Sequence, residues 1–340
     1  MQSLQPNTTL QSGKYRIDRV LGQEATVASL PYSHKPSNSP SSQSTDNSYM
    51  DNALSNISNF TIQLWEKDRD SVNWYPIATG VLCSDDINCY IVTCAHTFAV
   101  EDGVNKVQGI VMNNSFTPLN EERVLAPDTT VHGKCDVAIV KLSSDTTEYI
   151  REIGYEFLDK KYLGINLSVQ NDSMLYICGY PANKTRGPIY GREGKKIQIE
   201  TISDLNHERI IFPIVFSSKL VYLALPYIDD ISQYERRGIE KETHLLLSFH
   251  YKKLSRLNGS RITLPKPSGM SGSGLWAITS DGNYHLLGIM IEYNLKDSFM
   301  LATRIDYVTE LMKHVYNSDL PQSNIIPTKW YLDNSIPNKL

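Results

Sequence analysis

From Phe60 onward the chain is a succession of short runs separated by polar turn residues. In some runs apolar and polar positions alternate; in others the apolar positions are unbroken. Phe60-Thr61-Ile62-Gln63-Leu64-Trp65 alternates with the period of two that a half-buried strand requires. Residues 77–83 and 89–94 are two further runs, joined through Ser84-Asp85-Asp86-Ile87-Asn88, and read as a hairpin. Residues 107–112 and 137–142 continue the pattern. The more charged stretch 145–168 accommodates one helix, after which strands are expected at 174–178, 196–200, 220–225, 245–249, 275–278, 286–291 and 299–302. Only near the end, at 307–316, do apolar residues take helical spacing. Many short strands with polar turns predict an all-β barrel or sandwich rather than alternating α/β units.

The first sixty residues differ. Residues 29–57 are dominated by Ser, Asn and Pro, a composition that buries too little apolar surface to offset its ordering entropy, so a disordered linker is expected there. Residues 1–28 contain Tyr15-Arg16-Ile17-Asp18-Arg19-Val20-Leu21-Gly22, which resembles the first strand of bacterial Ser/Thr protein kinases. Glu24-Ala25-Thr26-Val27 then stands where that family has further glycines, and no phosphotransfer motif follows, so this is a leader without kinase chemistry. The Pro- and Asn-rich residues 321–340 are expected to form a surface tail.

Composition narrows the function classes. A net charge of −4 gives no global field favouring nucleic acid or an anionic membrane. No run approaches the roughly 18 apolar residues of a membrane span, and the N-terminus lacks a signal-peptide core. The five cysteines, Cys83, Cys89, Cys94, Cys135 and Cys178, fit neither a disulfide framework nor a zinc-site spacing. They lie mostly in apolar runs, and a soluble, cytoplasmic protein without cofactor or metal is the expectation.

Three short stretches carry candidate chemistry. Pro267-Ser268-Gly269-Met270-Ser271-Gly272-Ser273-Gly274 places serines among glycines ahead of an apolar strand. Glycines permit the sharp turn that aims successive N–H groups at one oxygen. His96 follows the apolar run 89–94, and Asp136 opens the run 137–142. A carboxylate at the mouth of a buried strand can accept the Nδ1 proton of a histidine and fix its tautomer.

These stretches resemble the signature blocks of trypsin/chymotrypsin-like serine peptidases. Thr93-Cys94-Ala95-His96 is similar to the family's Thr-Ala-Ala-His, Asp136-Val137-Ala138-Ile139-Val140-Lys141-Leu142 to its Asp-Ile-Ala-Leu-Leu-Lys-Leu, and Gly269-Met270-Ser271-Gly272-Ser273 to its Gly-Asp-Ser-Gly-Gly. Gly80-Val81-Leu82 and Gly179-Tyr180-Pro181 resemble two further family segments. The three blocks run in the order His, Asp, Ser, separated by 40 and 135 residues.

The resemblance implies two six-stranded antiparallel β-barrels with a C-terminal helix: barrel 1 at about 58–150, barrel 2 at about 165–305 and the helix at about 305–317, in a peptidase domain spanning 58–320. It also implies a serine endopeptidase acting on a limited set of protein or peptide substrates through His96, Asp136 and Ser271. The oxyanion hole would be the N–H groups of Gly269 and Ser271. Pro265 and Glu292 are candidate specificity-pocket residues. The alternative is a catalytically silent relative that binds peptides in the same cleft. An α/β-hydrolase is disfavoured, because Ser273 occupies the last glycine of its Gly-x-Ser-x-Gly elbow and the histidine precedes the serine. Met270 replaces the aspartate that pairs with a new N-terminus in digestive members, and Thr97 replaces the cysteine that usually follows the histidine. Neither that ion pair nor that disulfide can form.

Overall fold

A computed structural model describes residues 26–29, 46–68, 74–98, 106–112, 115–119, 121, 123–126, 135–152, 154–171, 173–181, 200–204, 207–211, 220–250, 255–256 and 267–326. The strands of the first half are β1 (Thr26–Ser29), β2 (Thr61–Asp68), β3 (Trp74–Ser84), β4 (Cys89–Cys94), β5 (Lys106–Met112), β6 (Ser115–Pro118), β7 (Arg123–Ala126) and β8 (Val137–Lys141). Those of the second half are β9 (Met174–Gly179), β10 (Glu200–Asp204), β11 (His207–Ile211), β12 (Val221–Ile228), β13 (His244–Ser248), β14 (Ser255–Arg256), β15 (Gly274–Ile278), β16 (Tyr284–Asn294) and β17 (Phe299–Arg304). Helices α1 (Asp46–Asn59), α2 (Ser144–Glu152), α3 (Ile231–Glu235) and α4 (Ile305–Tyr316) flank them.

The pairings reveal a duplication in space that no sequence repeat announces. In the second half β9, β12, β13, β17, β16 and β15 pair in that order, and β15 returns to β9, closing a six-stranded antiparallel barrel. In the first half β5, β2, β3, β4, β8 and β7 follow the same order as a curled sheet, which β6, β11 and β10 extend beyond β5. The mostly-β chain with a C-terminal helix is thus the chymotrypsin-like double barrel expected from its sequence. α4 matches the helical spacing at 307–316, and α2 is the helix expected within 145–168.

Period-two burial fills each barrel from its own strands. Leu175 and Ile177, then Val221, Leu223, Leu225 and Tyr227, then Leu245 and Leu247 converge inside the second barrel. Ile62, Leu64, Ala78, Leu82, Ile91, Ala138 and Val140 do so in the first. The opposite faces of the same strands form a third cluster between the barrels and beneath α1 and α4, including Val92, Cys94, Val137, Ile139, Tyr222 and Trp276. This explains why the run 89–94 does not alternate: every residue of β4 is buried, because both its faces are covered.

Two expectations from composition need correction. Residues 46–57 are not linker but most of α1. Within the Ser- and Asn-rich sequence, Met50, Ala53, Leu54 and Ile57 recur at helical spacing and pack into the inter-barrel cluster. The Leu54 carbonyl accepts from Tyr222 Oη at 2.6 Å, and the Ile57 carbonyl from Thr61 Oγ1 at 2.9 Å. The tail expected from residue 321 is likewise docked at its beginning: Ser323 donates through its N–H to Glu310 and through Oγ to Asp306, and Ile326 is buried. Residues 1–25 of the kinase-like leader lie outside the described residues; Thr26–Ser29 pairs in parallel with β12. Strand expectation 196–200 overlaps the described residues only at Glu200, in β10.

Ile57 is fully buried. Ile57→Ala should therefore lower unfolding free energy by about 2–5 kcal/mol in urea titration, as a packed core truncation does. A change within about 0.5 kcal/mol, the range of surface substitutions, would return this segment to the linker reading.

Candidate active site

Strand register brings the first two candidate residues together. β4 and β8 are antiparallel with Cys94 opposite Val137, so one step further sets Ala95 opposite Asp136. The Ala95 N–H donates to the Asp136 carbonyl at 3.1 Å. β4 then tightens into a 3-10 turn, Ala95–Phe98, which carries His96 back over the carboxylate. Asp136 Oδ1 accepts the His96 N–H at 2.9 Å, and Oδ2 lies 2.5 Å from His96 Nδ1. Asp136 takes φ of 35°, a left-handed conformation that Asp tolerates better than most residues. It is 8% exposed, whereas the His96 side chain is 49% exposed. An ionised carboxylate can only accept, so this contact places the ring proton on Nδ1 and makes Nε2 the acceptor nitrogen of the ring.

The serine loop is held by its backbone against the same strand end. Gly272 N–H donates to the Met290 carbonyl at 2.7 Å, and Cys94 Sγ donates to that same oxygen at 3.0 Å. One carbonyl of β16 thus ties the residue after Ser271 to the residue two before His96. The Ser271 carbonyl accepts from Thr79 N–H at 2.8 Å. Gly272 has φ of 83°, and a Cβ there would stand 2.0 Å from the Thr79 carbonyl oxygen and 2.1 Å from Thr93 Oγ1. No side chain fits. Met270 is 1% exposed and sits in the apolar interior of the second barrel, so an apolar plug holds the loop. The Met270 carbonyl turns inward to accept the Ser273 N–H at 3.0 Å. A trans peptide opposes its N–H to its C=O, so the Ser271 N–H points away from that contact. Gly269, the other oxyanion candidate, takes φ of 87°.

Thr79 is a site residue that sequence reasoning passed over. Fully buried on β3, its hydroxyl donates to the Gly269 carbonyl at 3.0 Å and accepts the Tyr180 N–H at 2.9 Å. Its carbonyl receives Thr93 Oγ1 at 2.7 Å. One residue of the first barrel therefore holds two carbonyls of the serine loop and one amide of the second barrel. The available signal was a threonine pair, Thr79 and Thr93, on the two strands leading to the histidine.

The pocket candidates fare differently. Pro265 lies outside the described residues. Glu292 is partly exposed on β16, two residues beyond Met290 at an irregularity in the β16–β17 pairing. Its charge is shared with a resident cation: burial and neighbouring Arg236 press Arg237 below its ordinary value, while Asp297 and Glu292 oppose that shift. Among the other serines of the loop, Ser268 is exposed and Ser273 is fully buried.

Thr79→Val keeps the shape but strips the hydroxyl, leaving a buried carbonyl and a buried N–H unpaired, and should cost at least about 1–3 kcal/mol in urea titration. Thr79→Ser should retain most of the lost stability; equal losses in both variants would mean that the methyl, not the hydroxyl, matters. All five cysteines are free and buried. Burial pushes Cys135 and Cys178 up to about 12 and drives Cys83 and Cys94 well above their ordinary range. Above about pH 8.5 the unfolded chain sheds thiol protons that the native chain keeps, so stability falls as pH rises. The slope approaches about 1.4 kcal/mol per pH unit for each such thiol. Urea titrations at pH 8 and pH 10 measure it, and equal stabilities would contradict the burial.

No family model matches the chain, and no curated protein sequence matches it. Solved structures do match, among them the crystal structure of a scabies mite inactivated protease paralogue, SMIPP-S-I1, at TM-score 0.44 and 12% identity, covering 78% of this chain and 97% of that one.

Proposed function

We propose that this chain is a serine endopeptidase that cleaves peptide bonds of a limited set of protein or peptide substrates through an acyl-enzyme. One observation carries the reading: Asp136 grips His96 at Nδ1 and at its backbone N–H, and the Ser271 loop is pinned to the same strand end through the Met290 carbonyl. In this mechanism Ser271 Oγ attacks the substrate carbonyl as His96 Nε2 takes its proton. Asp136 stabilises the imidazolium, and His96 returns the proton to the leaving amine. The N–H groups of Gly269 and Ser271 receive the oxyanion, a role in which one donor is worth about 10²–10³ in turnover. Water then resolves the acyl-enzyme with His96 again as base.

The buried Met270 supports a loop whose shape needs no new N-terminus, because apolar packing supplies the anchor. With Arg237 within electrostatic range of Glu292, any preference for a basic substrate side chain is modest. A cytoplasmic setting belongs to the same reading and agrees with five buried free thiols. No helix among the described residues is long and apolar enough to cross a membrane.

Labelling with a fluorophosphonate probe tests the proposal. Wild-type protein should be labelled, Ser271→Ala should not, and His96→Ala should react about 10²–10⁴ times more slowly, the usual contribution of a general base. If folded wild-type protein takes up no more probe than Ser271→Ala between about pH 6 and 9, the chain is no serine peptidase and the silent, peptide-binding reading takes its place.

A further inference from the structure

The cysteine spacing along the chain promised no metal site, yet among the described residues the fold assembles one set of mixed donors. Cys94 Sγ, a ring nitrogen of His96 and a carboxylate oxygen of Asp136 all lie within 4.8 Å of one another. They come from two adjacent strand ends, and the register that pairs Ala95 with Asp136 also brings the Cys94 thiol beside the carboxylate. The family resemblance has alanine where Cys94 stands, so this thiol is not demanded by the hydrolytic chemistry.

We infer that Cys94, His96 and Asp136 form a site for a thiophilic divalent cation of the zinc class, and that its occupation switches the catalytic pair off. Thiolate, imidazole and carboxylate are the donors that zinc accepts, whereas magnesium and calcium favour oxygen alone. Zinc bond lengths of about 2.0–2.3 Å place tetrahedral ligands about 3.3–3.6 Å apart. The Nδ1–Oδ2 pair, now at 2.5 Å, has to part by roughly 1 Å, and the thiol has to close by a similar amount at most. His96, with its side chain half exposed, has the freedom to make that adjustment and opens the way in from solvent.

On binding, the Cys94 thiol releases its proton to solvent, its sulfur lone pair passes to the metal, and its bond to the Met290 carbonyl is given up. Nothing is oxidised or reduced. The metal takes the Nδ1 lone pair that results when that ring proton leaves or moves to Nε2, and it takes Oδ2, so Asp136 no longer orients the ring. Metal bonding thus replaces the Nδ1–Oδ2 contact on which the proposed base depends. That inhibitory consequence rests on the peptidase reading; the metal site itself does not.

Cobalt(II) titration of the full-length protein separates the two. Wild type should bind one cobalt per chain with a sulfur-to-cobalt charge-transfer band in the near ultraviolet, and Ser271→Ala should keep that band. Cys94→Ala and the closely isosteric Cys94→Ser should lose it and weaken binding at least about tenfold, since even groups that merely support a ligand cost about 10–100-fold. Near-ultraviolet circular dichroism checks that both variants are folded. Zinc should also suppress fluorophosphonate labelling of wild type, reversibly with a chelator, and the ratio of labelling with and without zinc should return toward one in the Cys94 variants. No band in wild type, or a band that survives in both folded Cys94 variants, overturns the inference. A Cys94-dependent band in a protein that never labels would leave the metal site standing and sink the peptidase reading. Serine-dependent labelling without the band would do the reverse.

Discussion

All the candidate chemistry depends on one close approach, the Ser271–Gly272 backbone pressed against Thr79 and Met290. With a Cβ at Gly272 only 2.0 Å from the Thr79 oxygen, the two barrels could not meet there around any other residue. The contact is made by main-chain groups, so it is insensitive to side-chain motion, and it joins strands from both halves. Apolar burial drives the barrels together. The hydrogen bonds at Thr79 and Met290 fix their register, because each would leave a buried polar group unpaired if the halves slid.

The overall architecture was legible because period-two alternation and unbroken apolar runs are direct consequences of one-face and two-face burial. Residues 89–94 and 137–140 are mostly apolar because their strands sit between two packed layers, and the same strands carry His96 and Asp136 at their ends. α1 was not legible from composition, since Ser and Asn dominate it. Its signal was the spacing of Met50, Ala53, Leu54 and Ile57, a local pattern that a compositional average conceals. Thr79 escaped for a related reason. A threonine among the apolar residues of 77–83 reads as a polar position facing outward, and only the arrival of the second barrel turns outward into buried. The topological duplication of the barrels, likewise, is a property of pairing order and leaves no imprint on residue identity.

Resemblance supplied only the roles proposed for His96, Asp136 and Ser271; geometry adds how each residue is held. Asp136 bonds through its carbonyl, Oδ1 and Oδ2, so it organises the turn after β4 as well as facing the ring. Replacing it would disturb structure and chemistry together. Ser271 is fixed through its carbonyl, and the scaffold bonds around it belong to Thr79, Gly272 and Met270. Its hydroxyl can therefore be removed without touching them, which makes Ser271→Ala the cleaner probe of chemistry.

A buried carboxylate anchors the residues that follow α4. Asp306, wholly buried, accepts from the Asn166 N–H at 2.8 Å and from Ser323 Oγ at 2.9 Å, while Arg304 approaches its other oxygen at 3.3 Å. A buried carboxylate is tolerated here because a cation and two donors satisfy it, and removing any one would expose the cost of its desolvation. Residues after α4 thus serve as ligands to a charge planted inside the fold. This is why the beginning of a Pro- and Asn-rich tail is ordered against the helix: its polar groups are partners that the buried Asp306 and the Glu310 beside it require.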